Sequence, residues 1–323
     1  MREDQRHPEE VGEVVGAVAP TSPVERIGSH HPRRPGERVA WLLVSPWVVI
    51  LGVFWVYPFL YALAVAFAEL DVFSGQWRWI GLANFAAVFA DTAFWEAVWH
   101  TVIFALGTVP ATTTLAILLA LALNRRLPGR ALFRAGFFAP TLTATVVTAL
   151  VFLHLYAQGG YLYRLAQLVG LPVPEHGYLL SERTALLSVM VMDVWVSVGY
   201  YALLFLSGLQ TIPAELVEDA VMHGASPWQR FWAITWPYLR PTLLYAVVIN
   251  LIKSFQIFTE IFVMTQGGPV GSTTTAVYHV YTAGFERFNL GYASAAAFVL
   301  FVMIAAIAVL QVRFFGLGHT PEE

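Results

Sequence analysis

Six stretches of this chain are so long and so apolar that water cannot be their solvent: residues 40–68, 97–123, 132–156, 185–209, 242–265 and 292–315. The hydrocarbon layer of a bilayer, about 30 Å thick, is crossed by roughly 20 helical residues. Inside lipid every backbone N–H and C=O must be satisfied within the segment, which selects helices over isolated strands. The last stretch, "YASAAAFVLFVMIAAIAVLQVRFF", is the cleanest of the six. Charged residues make up 12% of the chain and hydrophobic ones 58%, against about 25% charged in soluble domains. The expected fold class is therefore all-α, a polytopic membrane protein with six transmembrane helices.

Around these spans the chain divides into four parts. Residues 1–38 are rich in Pro, Gly, Glu and Arg and show no helical or strand period. They bury too little apolar area to offset their ordering entropy, so a disordered tail is expected. A cleavable signal is disfavoured, although "ALA" at 62–64 has a cleavage-site look. The polar lead is too long and the apolar run after it exceeds an h-region. Residues 39–96 hold the first helix and an external loop, 97–313 a five-helix domain, and 314–323 a second short tail.

Arginine placement orients the chain. Arg2, Arg6, Arg26, Arg33, Arg34, Arg38, Arg125, Arg126, Arg130, Arg134, Arg230, Arg240 and Arg313 fall on one side, and Arg78, Arg164, Arg183 and Arg287 on the other. The richer side is cytoplasmic under the positive-inside rule, which puts both termini and the segment 211–241 in the cytoplasm.

Several chemistries lack their residues. No cysteine is present, so disulfides, thiolate metal sites and cysteine nucleophiles are excluded. The one lysine, Lys253, follows "NLI" rather than a glycine, so no phosphate-binding loop for ATP exists. There is no H-E-x-x-H motif, no serine in a nucleophile elbow, and no metal site is expected. Asp193 is the only aspartate inside a span, so no aspartyl dyad forms within the chain. A net charge of −3 gives no reason to expect nucleic acid.

Between the fourth and fifth spans lies "PAELVEDAVMHGASPWQRFWAITWPYLRP", a compact helical hairpin. Thr211 is placed to cap its first helix and Pro213 to sit in the first turn. Glu215, Glu218 and Asp219 complement the positive end of the helix dipole. Gly224 permits the left-handed stop. "SPWQ" then forms a capping box, with Ser226 as cap, Pro227 at the first helical position and Gln229 reaching back. Pro237 and Pro241 are expected to stop the second helix before the fifth span. Trp228 and Trp232 fall one turn apart, so an amphipathic element anchored in lipid headgroups is one reading of the hairpin.

Polar residues also recur within the spans. Asn250, Lys253, Gln256 and Glu260 fall within an arc of about 120° on a continuous helix. Asp193, Ser197 and Tyr200 share a face of the fourth span, and Thr141, Thr145 and Thr148 a milder stripe on the third. Ionisable groups in a span default to a functional hypothesis. They can line a substrate path, with amide and charged groups bonding hydroxyls and a tyrosine ring covering an apolar face. They can equally form a structural ion pair such as Asp193 with Lys253, or interhelical hydrogen bonds.

The order of residues in the hairpin resembles the cytoplasmic loop of type I ABC importer permeases. The matching positions are Glu218, Ala220, Gly224, Ala225, Phe231, Ile234, Pro237 and Pro241. Asp219 stands where that pattern has alanine, and His223 where it has aspartate. "MTQGGPVGSTTTAVYHVYTAGFERFNLGYASAAA" is similar to the loop after span five in the carbohydrate group of these permeases. The resemblance implies a coupling loop over 211–241 that docks on a separate ATPase and a sugar held by polar residues of spans four and five. It further implies a second permease subunit, two ATPase subunits that use ATP and Mg, and an extracytoplasmic solute-binding protein. The chain itself would carry no cofactor and no enzyme activity, in a bacterial or archaeal inner membrane. A glycerol-phosphate permease shares the same loops, and an autonomous ion-coupled carrier with Asp193, Lys253 and Glu260 as a relay is the reading from a different class.

Overall fold

The computed structural model describes residues 36–71, 73–125 and 129–315. Most of the expected tails, 1–38 and 314–323, lies outside them. The chain divides into two units between Val56 and Tyr57.

The first unit holds α1, Gly36–Leu51, followed by a π-helical turn over Gly52–Val56. Its apolar side chains, among them Trp41, Leu43 and Trp47, are exposed.

The second unit opens with α2, Tyr57–Ala66, and a two-stranded antiparallel hairpin, β1 Ala68–Leu70 with β2 Trp77–Trp79. Glu69 and Arg78 face each other across it as an exposed ion pair. Then come α3 Ala83–Ala90, α4 Thr92–Asn124, α5 Arg130–Leu142, α6 Thr145–Tyr156, α7 Tyr161–Leu168 and α8 Ala185–Leu209. The chain continues through α9 Ala214–Met222, α10 Pro227–Arg230, α11 Trp236–Phe255, α12 Thr259–Met264, α13 Ala276–Tyr281 and α14 Leu290–Phe315.

Among the described residues, four stretches are long and apolar enough to cross a membrane: Val39–Ala66, Thr92–Asn124, Ala185–Leu209 and Leu290–Phe314. The third expected span, 132–156, is not straight. Its arms Ala131–Leu142 and Thr145–Tyr156 meet at 97°. Pro140 lies in the last turn of α5, Thr143 is extended, and the Thr143 N–H closes back on the Pro140 carbonyl. That divides the threonine stripe, leaving Thr141 on one arm and Thr145 and Thr148 on the other.

The expected fifth span, 242–265, is broken too. α11 ends at Phe255, Gln256 caps it, and α12 starts at Thr259. No glycine or proline marks the break. Instead the Thr275 hydroxyl donates to the Ile257 carbonyl at 3.2 Å, in place of a helical N–H. Ile257 and Ile261 are both buried in one cluster with Phe104, Val189, Met192 and Tyr278. Packing of those two side chains outweighs helix continuity, so Gln256 and Glu260 do not extend the arc begun by Asn250 and Lys253.

α4 and α8 form the centre of the unit, with α5, α6, α11 and α12 against them. Gly199 lets α5 approach α8 closely, since a Cβ there would lie 1.9 Å from the Phe137 carbonyl oxygen. α11 runs antiparallel to α4: the Thr108 and Ser254 hydroxyls are 3.1 Å apart near one end, while Leu239 and Ala246 pack with Ala116, Ala120 and Leu123 near the other.

Candidate functional site

The hairpin is built from short-range bonds. α8 closes at its C-terminus with the Thr211 hydroxyl donating to the Gly208 carbonyl at 2.8 Å. Thr211 therefore finishes α8 and does not cap α9. Pro213 stands at the N-cap of α9, where its missing N–H leaves nothing unsatisfied.

α9 ends as its sequence demands. Gly224 adopts φ +78°, the Ala225 N–H bonds to the Ala220 carbonyl and the Gly224 N–H to that of Val221, which together make a Schellman motif. A Cβ on Gly224 would meet nothing within 4 Å, so glycine is required here by the backbone and not by neighbours. His223 Nδ1 bonds to the Asp219 carbonyl at 3.0 Å. The capping box forms as expected: Ser226 N–H donates to Gln229 Oε1 at 2.8 Å, and Gln229 N–H to Ser226 Oγ at 3.3 Å.

Pro237 and Pro241 do not stop the helix. Phe231–Thr235 form a π-helical turn in which the Trp236 N–H bonds to the Phe231 carbonyl, five residues back. Pro237 follows in the first turn of α11, where a pyrrolidine ring is tolerated. α10, the π turn and α11 are consequently continuous from Pro227 to Phe255. Trp228, Phe231, Trp232 and Trp236 form one cluster of rings along this stretch, with centroids 5.6 Å apart for Trp228–Trp232 and 5.4 Å for Trp232–Trp236. Phe231 and Ile234 are half-buried, and Pro237 is exposed.

No side chain of α9 is buried. Glu215, Glu218 and Asp219 are exposed beside Leu216, Val221 and Met222, the last 84% exposed. A helix with acidic and apolar side chains both uncovered has the makings of a docking face.

Within the membrane-spanning part, Lys253 Nζ donates to Asp193 Oδ1 at 3.0 Å and to Ser197 Oγ at 2.7 Å. The pair is lopsided: the Asp193 side chain is 4% exposed and that of Lys253 46%. The open side of Lys253 faces a cavity of about 330 Å³ lined by Asp193, Lys253, Gln256, Glu260, Thr259 and Phe104, among others. The structure thus brings Asp193, Lys253, Gln256 and Glu260 together around one space, with Ser197 outside its lining and bonded to Lys253. Tyr200 stands apart, 45% exposed and edge-on to Tyr201. Asn250 is 1% exposed on the α4-facing side of α11, and its amide has no partner among the described residues. Nor has the buried Thr112 hydroxyl, which lies one turn from Thr108 as Asn250 lies one turn from Ser254. No cluster able to hold a metal ion occurs among the described residues.

Sequence reasoning missed a second polar assembly. Tyr292 donates to Asp91 Oδ2, His279 Nε2 lies 3.0 Å from the Tyr292 hydroxyl and 3.5 Å from Asp91 Oδ2. Burial holds His279 below the usual imidazole range despite the nearby Asp91 carboxylate. Burial pushes Asp91 up, but the Tyr292 hydroxyl, the Ala93 N–H and His279 outweigh it and leave the carboxyl below its usual range. These residues are 201 positions apart at the extremes, and no local spacing announces the contact. His100, bonded through Nδ1 to the Thr274 carbonyl at 3.1 Å, is another long-range tie.

A family model described as binding-protein-dependent transport system inner membrane component matches residues 80–315. The sn-glycerol-3-phosphate transport system permease protein of Agrobacterium fabrum is 34% identical over 285 residues, covering 87% of this chain and 95% of that protein. The multiple sugar-binding transport system permease protein of Streptococcus mutans is 30% identical over 273 residues, covering 84% and 93%. A chain of the crystal structure of a bacterial ABC transporter involved in the import of the acidic polysaccharide alginate matches with a TM-score of 0.75 at 22% identity, covering 86% of this chain and 96% of that one. That last likeness is one of fold.

Proposed function

The chain belongs to the family of binding-protein-dependent transport system inner membrane components, and from that membership we propose that it forms half of the translocation path of an ATP-driven sugar importer. It is a transport component and not an enzyme. An autonomous ion-coupled carrier does not fit the family. The reading includes a second permease subunit beside this one, two ATPase subunits on the cytoplasmic side that bind ATP and Mg, and a solute-binding protein outside. Both termini and the hairpin face the cytoplasm, as the arginine distribution favours.

The observation that carries the coupling role is the uncovered α9. It is held by a Schellman stop and a capping box, its acidic and apolar side chains are exposed with Asp219 paired only to the neighbouring His223 among the described residues, and the turn after it opens the helix that runs from Pro227 into the membrane. In this role Glu218, Asp219, Ala220, His223, Gly224 and Ala225 form the docking arm, and Phe231, Ile234 and Pro237 the arm that carries the movement inward. A rigid-body displacement of an ATPase then passes to α11 without a flexible joint.

For the substrate, the cavity between α8, α11 and α12 favours a neutral polyhydroxyl compound over a phosphate. The Lys253 ammonium is already engaged by Asp193 and Ser197, and two carboxylates line the space against one cation. Asp193, Lys253, Gln256 and Glu260 form the polar wall of this path, and Ser197 holds Lys253 from behind it. Tyr200 and Asn250 belong to the same pair of helices, with Tyr200 facing outward and Asn250 the α4 seam.

The test uses the chain co-expressed with its ATPase and binding protein. A cysteine placed at Glu218 should crosslink to the ATPase subunit, and Gln256→Ala should weaken uptake with assembly intact. Uptake by the purified chain alone, or crosslinks from position 218 only to lipid, would overturn the proposal.

A further inference from the structure

The two arms of the hairpin differ in kind. α9 carries Glu215, Glu218 and Asp219, no basic residue and no aromatic ring. The other arm, from Ser226 into α11, has no acidic residue before Glu260, and carries Arg230, Arg240 and the ring cluster of Trp228, Phe231, Trp232 and Trp236. Trp228 is 69% exposed and Trp232 47%. Neither Arg230 nor Arg240 makes an ion pair among the described residues. This arm is also continuous with a helix that enters the membrane.

We propose that the basic, aromatic arm docks on anionic phospholipid headgroups of the leaflet at its end of the membrane, and leaves the acidic arm to the protein partner. Tryptophan places its apolar ring and its N–H at the depth where hydrocarbon gives way to headgroups. Arginine beside it meets the negative surface potential of anionic lipid and binds phosphate oxygens through a planar fork. The same potential repels α9 with its three carboxylates. One short hairpin is thereby sorted between two environments by charge and ring content. The phospholipid serves as the bearing on which the second arm turns. The inference rests on the cytoplasmic placement proposed above, which side-specific labelling of Met222→Cys in this cysteine-free chain reports independently.

The experiment uses the assembled transporter in nanodiscs of phosphatidylcholine with or without phosphatidylglycerol, carrying a photo-crosslinking p-benzoylphenylalanine at Trp232 or at Met222. Position 232 should give phospholipid adducts enriched in phosphatidylglycerol, and position 222 protein adducts. Arg230→Gln or Arg240→Gln should lower the phosphatidylglycerol yield about fivefold each, the worth of one arginine at an anionic surface. Adducts from 232 to protein alone overturn the docking, and equal yields from both lipids overturn its anionic character. The share of tryptophan fluorescence quenched by brominated phosphatidylglycerol, lower in W228F/W232F than in the parent with its 11 tryptophans, checks the same contact without a crosslinker. A failure at 232 with ATPase adducts intact at 222 removes this inference and leaves the coupling role standing.

Discussion

Between Ala214 and Arg230, every backbone bond and cap that shapes the hairpin spans five residues or fewer, whereas Lys253 reaches Asp193 across 60 positions. The first region carries its instructions in adjacent letters and holds its form with little burial. The second exists only once α8, α11 and α12 have packed. The hairpin is therefore expected to respond to substitutions locally and gently, and the polar site globally and sharply.

The largest departure should come from Lys253→Ala. It leaves the Asp193 carboxylate buried without its cation, and unfolding in detergent should be easier by about 2–4 kcal/mol, below a fully enclosed pair because half of Lys253 faces the cavity. Adding Asp193→Asn to that variant should restore part of the loss, and strict additivity would show that the two residues do not act as a pair. Hydrogen exchange in α9 should stay unchanged in both.

Gly224→Ala comes next. Space is open there, so the effect is purely that of a left-handed backbone, about 1–2 kcal/mol, confined to the hairpin. It should appear as faster exchange over 220–226 and weaker coupling of ATP hydrolysis to uptake, with global unfolding little moved. A matching fall in global stability would erase the contrast between the two regions. Ser226→Ala should be smaller, about 1 kcal/mol of local fraying in α10, read by exchange at Gln229 and Arg230.

The smallest effect concerns pH. His279 and Asp91 both sit below their ordinary values. Each contributes stability that is complete above its unfolded-state value and is lost as pH falls through its folded-state one. The tie among α4, α13 and α14 should therefore loosen in mild acid through His279 first and through Asp91 only in stronger acid. His279→Asn should flatten the mild-acid slope of thermal stability, and an unaltered slope would assign it elsewhere.

What was legible follows the same division. Gly224, Ser226 and Gln229 announce their roles within a few positions, and the apolar run 185–209 coincides with α8. The Asp193–Lys253 pair was foreseeable as an option, because two opposite charges in lipid seek each other. Its geometry was not, since the helix break after Phe255 depends on Thr275 and on two isoleucines finding a core to which α4, α6, α8 and α13 all contribute. The prolines misled for a related reason. For Pro237 that stopping power presumes a regular α-helical turn before it, and a π turn takes that place; Pro241 lies inside α11, which continues through it. Thr211 misled because α9 starts two residues later than expected, with Pro213 at its N-cap, which leaves the hydroxyl to close α8.

That π turn has a mechanical corollary. With no joint between Pro227 and Phe255, the contour from the bottom of the second arm to the polar cavity is roughly 40 Å at about 1.5 Å per residue, so a tilt of about 10° at one end sweeps the other through about 7 Å. Such a tiller needs no change in its own dihedrals to part Lys253 from Asp193, whose Nζ and Oδ1 are 3.0 Å apart. The electrostatic contact at the far end would then act as the detent that defines one resting position.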